Sequence, residues 1–250
     1  MIHQNEIAYV VPKRVLVVVA HPDDIDFGVA GSVARWVGEG AEVTYCIITN
    51  GAAGSNDPAT DLRELVRTRE QEQRAAAAVV GVRDVRFLGY QDGVLQPTLE
   101  LRRDITRIIR EVQPDRVVTQ DPTTVFASDS YINHPDHRAA GEATLYAVFP
   151  SAETRPVFPE LLAEGLEPHH VNELYLNLTL NPNTAIDISE VIDRKMEALL
   201  CHTSQNTAEA ADWLRERNAE AGKAYDYAYA EVFRVMRFIR GQEVDEEALS

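Results

Sequence analysis

Val15-Leu16-Val17-Val18-Val19-Ala20 is an uninterrupted apolar run that stops abruptly at His21-Pro22-Asp23-Asp24. A run with no polar alternation predicts a strand buried on both faces, as in a parallel α/β sheet. A histidine and two carboxylates at its carboxyl end stand where open α/β sheets collect their ligands. Such groups are costly to bury without partners, and a metal ion is a natural one. A second cluster of the same chemistry, His134-Pro135-Asp136-His137, lies more than a hundred residues further on. The pair of clusters points to one metal site assembled from both.

The rest of the chain alternates strand and helix patterns. Residues 28–39 read as a helix stopped by Gly40, and 43–49 as a second buried strand ending in the turn signal Asn50-Gly51. A polar loop at 51–60 is followed by a long helix over 62–80, a short strand over 85–88 and an amphipathic helix over 99–112, which Pro114 stops. Residues 117–119 predict another strand, 120–133 a loop, and 136–148 a helix. Four β-α repeats predict an α/β fold with a mostly parallel, doubly wound sheet. Four prolines break the stretch 150–170, an expected irregular cover. A strand over 173–180, helices over 188–201 and 206–222, and a strand over 231–239 complete the pattern. The tail 241–250 is acidic and expected to fray.

The whole of 1–250 fits one α/β domain. The formal charge of −16 argues against nucleic acid and against anionic membranes as partners. Cys46 and Cys201 do not make a disulfide framework or a Cys-x-x-Cys metal site. No signal peptide or membrane-length apolar run is visible, so a cytoplasmic location is expected. The 51–60 loop lacks the Gly-Lys-Ser/Thr of a phosphate loop, and no Gly-x-Gly-x-x-Gly follows the first strand.

Catalytic zinc uses three protein ligands and keeps one position for water. If the chain turns sharply at Pro22, His21 and Asp24 can supply two ligands, and one histidine of the second cluster the third. Asp23 is then free to act as a general base. The other histidine of that cluster can hydrogen-bond a developing oxyanion or protonate a leaving amine. Tyr131 is a further nearby donor, whereas His169 and His170 read as rim residues.

Taken together, Ala20-His21-Pro22-Asp23-Asp24 with Gly28 and Gly31, Thr49-Asn50-Gly51 and His134-Pro135-Asp136-His137 resemble the PIG-L/LmbE-like zinc-dependent N-deacetylases. Arg69-x-x-Glu72, Gly89-Tyr90-Gln91-Asp92-Gly93 and His202-x-x-Gln205 support the resemblance, which covers most of the chain. It implies a Rossmann-like fold, with His21, Asp24 and His137 binding one Zn²⁺ per chain. It implies Asp23 as base, His134 as the group that stabilises or protonates the transition state, and Arg69 and Asp92 as substrate contacts. The activity it implies is removal of an acyl group, usually acetyl, from an N-acylated amino sugar or sugar conjugate. A thiol-conjugate amidase and a non-catalytic sugar-binding protein are the alternatives, and a homo-oligomer is open to such a chain. One departure stands out: many family members carry Glu directly after HPDD or one residue further on, where this chain has Ile25-Asp26.

Overall fold

In the computed structural model, which describes residues 11–205 and 208–238, the apolar run becomes the central strand of the sheet. Strand β1 (Arg14–Val19) pairs in parallel with β2 (Glu42–Thr49) on one side and β4 (Arg116–Gln120) on the other. Val15 to Ala20 are fully buried, which is why no polar residue interrupts them. Beyond β2 lies β3 (Asp84–Tyr90), and beyond β4 lies β7 (Glu173–Asn177), both parallel to their neighbours. Two antiparallel strands, β9 (Ala230–Arg237) and β8 (Thr184–Asp187), close that edge, giving the order β3-β2-β1-β4-β7-β9-β8.

The helices divide between the two faces according to the strand they follow. On one face pack α2 (Ala30–Gly38), which follows β1, α3 (Leu62–Val79), which follows β2, and α7 (Ile192–Leu200) with α8 (Ala208–Lys223). Under them lie Val17, Val19, Trp36, Tyr45 and Phe233. On the other face pack α4 (Leu99–Val112) and α5 (Pro135–Tyr146), over Leu16, Val18, Cys46 and Ile48. The chain leaves β1 toward one face and β4 toward the other. A crevice therefore opens at the carboxyl ends of these two neighbours, the switch point of a doubly wound sheet. Both His/Asp clusters lie there.

The structure differs from the sequence pattern in several places. The helix expected over 28–39 is α2, and a separate short helix not expected from the sequence, α1 (Asp24–Gly28), precedes it across Val29. The expected loop 120–133 contains a small hairpin, β5 (Phe126–Ser128) with β6 (Tyr131–Ile132). The helix expected over 188–201 begins only at Ile192, and the unexpected strand β8 lies just ahead of that stretch. The cover segment holds one π-type turn, Ala147–Ala152, and the short helix α6 (Pro159–Ala163). The acidic tail lies outside the described residues. Among the described residues no helix is long and apolar enough to cross a membrane.

Candidate active site

The turn that starts at His21 is forced by three tethers. Gln73 on α3 accepts the Asp23 amide through Oε1 (2.9 Å), and Arg69 one turn earlier donates to the Pro22 carbonyl (2.8 Å) and the Gly51 carbonyl (2.8 Å). The His21 amide donates to Asp24 Oδ2 (2.7 Å). Asp23 consequently sits at φ 92°, a left-handed conformation that a non-glycine residue adopts at a cost of roughly 1–3 kcal/mol. The turn sets the carboxylates of Asp23 and Asp24 side by side in the wall of a cavity of about 620 Å³.

The second cluster reaches the first through α5. His134 is its N-cap, with Nδ1 accepting the Asp136 amide (3.2 Å), and Pro135 occupies the first helical turn, where a missing N–H costs nothing. The first turn of α5 then brings His137 Nε2 to 3.0 Å from Asp24 Oδ1. Gly141 permits the approach: a Cβ there would lie 2.2 Å from the Gln120 carbonyl oxygen at the end of β4. Gln120 in turn donates to Asp24 Oδ2 (2.9 Å).

His21, Asp24 and His137 therefore offer one ligand atom each, all within 4.8 Å of one another. Their other polar atoms are already engaged in the way a metal requires. His137 Nδ1 faces Asn133 Oδ1 (2.9 Å), so it carries the proton and leaves the Nε2 lone pair toward Asp24. His21 Nε2 faces Asp92 Oδ1 (3.1 Å) and Asp136 Oδ2 (3.3 Å), which leaves Nδ1 as its ligand atom, 3.4 Å from Asp24. Carboxylates behind histidines in this manner orient metal ligands. The charge balance fits as well: three carboxylates surround His21, and although burial opposes its charged form, they push its pKa up to about 12. Such surroundings favour a cation, and a metal ion bound there would take the place of a proton on His21. A second grouping, His21, His134 and Asp136, also meets the distance condition. Its Asp136, however, has both oxygens occupied by the amides of Gly93 (2.7 Å) and Leu95 (3.0 Å).

Asp23 has the character of a base. Burial and the adjacent Asp24 raise its carboxyl to about 6, against the pull of Arg69 and His202. His134 is half-buried beside the cavity rather than in its wall, with its ring edge-on to His21 at 4.6 Å. Burial, together with His21 and His137, lowers its pKa. Because Nδ1 accepts the Asp136 amide, the proton of neutral His134 is on Nε2, available as a donor.

Arg69 and Asp92, expected as substrate contacts, do not line the cavity. Arg69 is 4% exposed, with its guanidinium held by two backbone carbonyls and 3.4 Å from Asp23 Oδ2. Asp92 is turned inward to His21 and accepts the Ala53 amide (3.0 Å). Their side chains face other residues of the site, Arg69 toward Asp23 and Asp92 toward His21. His169 and His170 bond the Pro114 carbonyl and Glu153 and lie outside the cavity wall.

Asp26, the residue that departs from the family pattern, is fully buried behind Asp23. Its Oδ2 takes His202 Nε2 (2.8 Å) and Gln73 Nε2 (3.1 Å), so Gln73 links it to the Asp23 amide. Gln73, Gln120 and Asn133 are parts of the site that the sequence did not single out, and Asp136 was named there only within its cluster. The available signal was a helix, α3, whose buried face carries Arg69, Glu72 and Gln73 beside Ala76. Three polar groups facing inward require partners there.

The chain is 32% identical over 230 residues to diacetylchitobiose deacetylase of Thermococcus kodakarensis, covering 89% of this chain and 82% of the relative. It is 29% identical to a probable N-acetyl-alpha-D-glucosaminyl L-malate deacetylase 2 of Bacillus anthracis, over 90% and 96% of the two chains. The crystal structure of N,N'-diacetylchitobiose deacetylase from Pyrococcus horikoshii superposes with a TM-score of 0.83 at 31% identity, covering 90% of this chain and 84% of that one. The profile described as PIG-L, GlcNAc-PI de-N-acetylase, matches residues 16–148, a span that runs from β1 through both His/Asp clusters. The chain belongs to the PIG-L family.

Proposed function

We propose that this protein is a zinc-dependent N-deacetylase that removes an acetyl group from an N-acetylated amino sugar or its conjugate. The observation that carries this reading is the ionisable Asp23 next to His21, Asp24 and His137, with Asp23, Asp24 and His137 in the wall of a cavity. His21, Asp24 and His137 would hold one Zn²⁺ per chain, and the metal would supply Lewis acidity to a water molecule and to the amide carbonyl. The names of the relatives support the substrate class.

Asp23 takes a proton from the attacking water and, once protonated, can return it to the departing amine. The Nε2–H of neutral His134 donates to the carbonyl oxygen as negative charge builds there. Arg69 and Gln73 hold Asp23 in the one backbone conformation that presents its carboxylate to the cavity. The direct test is incubation of purified protein with N-acetylated amino sugar conjugates, scoring acetate and free amine together with bound metal. Release of neither product by metal-loaded protein from any such conjugate would overturn the assignment.

A further inference from the structure

The cavity wall above the metal ligands is largely apolar, with Phe27, Leu178 and Leu180 in it, and it contains one cation, Arg217. Arg217 and Trp213 lie four residues apart on α8 and share a face, with the guanidinium carbon 5.5 Å from the indole centroid. Trp213 is half-exposed and Arg217 exposed. Among the described residues no carboxylate pairs with Arg217, although the chain holds 40 acidic residues. Surrounding protein lowers its pKa by desolvation, with no charged neighbour contributing in either direction. The guanidinium thus projects from a concave wall, partly desolvated and still charged, since arginine stays protonated at any working pH. Neighbouring Arg215 shows the contrast: it is bound to Asp193 (2.7 Å).

A volume of about 620 Å³ takes a ligand larger than a single amino sugar. Resting on the deacetylase reading, we propose that Arg217, backed by Trp213, is a specificity-determining residue that receives a carboxylate or phosphate on the aglycone of the substrate. A planar fork of donors suits either anion, and the indole holds the fork in place.

The test compares kcat/KM of the zinc-loaded protein for N-acetylglucosaminyl malate, N-acetylglucosamine 1-phosphate and neutral diacetylchitobiose. At least one acidic substrate is expected to be favoured by about tenfold over the neutral one. Arg217→Gln should remove about that factor from the preference, Arg217→Lys part of it, and Arg215→Gln none. High salt should shrink the preference in the wild type, because the cation is solvent-exposed. The acidic substrate whose ratio falls more in Arg217→Gln identifies the anion. A wild type that favours the neutral conjugate, or an equal loss in the Arg215 and Arg217 variants, overturns the proposal. If no conjugate is deacetylated, the catalytic reading falls separately, and calorimetric binding of the same three ligands decides for Arg217: weaker binding of the acidic ones to Arg217→Gln alone supports it, and equal binding refutes it.

Discussion

Gly141 is the position where a single methyl group should separate metal binding from folding. A Cβ there meets the Gln120 carbonyl oxygen at 2.2 Å, the Gln120 carbonyl carbon at 3.2 Å and Pro122 Cδ at 3.0 Å. The nearest of these is backbone at the end of a central strand, which cannot swing aside as a side chain can. Relief requires α5 to back away from β4 by about 1 Å, a displacement of the size that costs a site roughly a hundredfold in rate. His137 is one helical turn before Gly141 and travels with it. Its Nε2 is 3.0 Å from Asp24 Oδ1, and metal–ligand distances tolerate only about 0.2 Å. Overpacking should cost about 1–3 kcal/mol of stability, offset in part by the better helix propensity of alanine. Gly141→Ala should therefore fold, melt somewhat earlier, lose much of its zinc on dialysis, and fall about a hundredfold in kcat/KM. Gly38→Ala is the control, since nothing lies within 4 Å of a Cβ there. Elemental analysis, thermal melts and steady-state kinetics on the two variants decide the matter. A Gly141→Ala protein with wild-type metal affinity and wild-type kcat/KM would show that the close approach of α5 to β4 does not set the site.

Three further outcomes follow from the same geometry. His137→Ala should lose zinc along with activity, whereas Asp23→Asn should keep zinc and lose about 10²–10⁴-fold in kcat, because an amide cannot take a proton from water; metal retained in the first variant or lost in the second would reverse the roles. Asp23 must be ionised to act as a base, so kcat/KM should fall as pH drops through its pKa, which is about 6 without metal and lower beside a dication. An acid limb lying clearly above 6, or one unaltered in the residual activity of Asp23→Asn, removes Asp23 from that role. His134→Ala should lower kcat by roughly 10²–10³-fold with zinc retained, and His134→Gln should recover part of the loss because its amide still donates; equal kcat in the two variants would argue that donation by His134 does not matter.

The parts of this molecule legible in the sequence are those where one physical requirement acts alone. A strand buried on both faces must be apolar throughout, so β1 could be read directly, and polar groups clustered at its end had no structural reason to be there. The hairpin β5–β6 was not legible because its strands are three and two residues long and mostly exposed, leaving no alternation to read. Strand β8 is four residues long at the sheet edge, too short to show a pattern in the stretch between the expected strand over 173–180 and the helix over 188–201. For Arg69 and Asp92, motif position said that they belong to the site but not on which side of it. That depends on α3 and the 89–93 loop packing behind the HPDD turn, a tertiary relation with no local signature.

The placement of the site has a consequence for how the protein holds together. The proposed ligands His21 and Asp24 follow β1, whose chain continues into α1 and α2 on one face of the sheet. His137 follows β4, and its helix α5 packs on the opposite face. An ion held by all three spans the crevice between two layers that otherwise meet through the sheet. The protein's own side chains tie the same elements together: His21 Nε2 bridges to Asp92 and Asp136, and Gln120 ties Asp24 to β4. These bonds join the HPDD turn to the 89–93 loop, to α5 and to β4, so His21, Asp24 and His137 are held in place from several elements. Preorganisation of this kind reduces the ordering cost of binding and fixes the direction in which each lone pair points. Asp26, shorter by one methylene than the family's usual residue, has its own tethers to the site. With Gln73 and His202 packed against it, its carboxylate needs no extra reach to connect the core of the fold to the Asp23 amide.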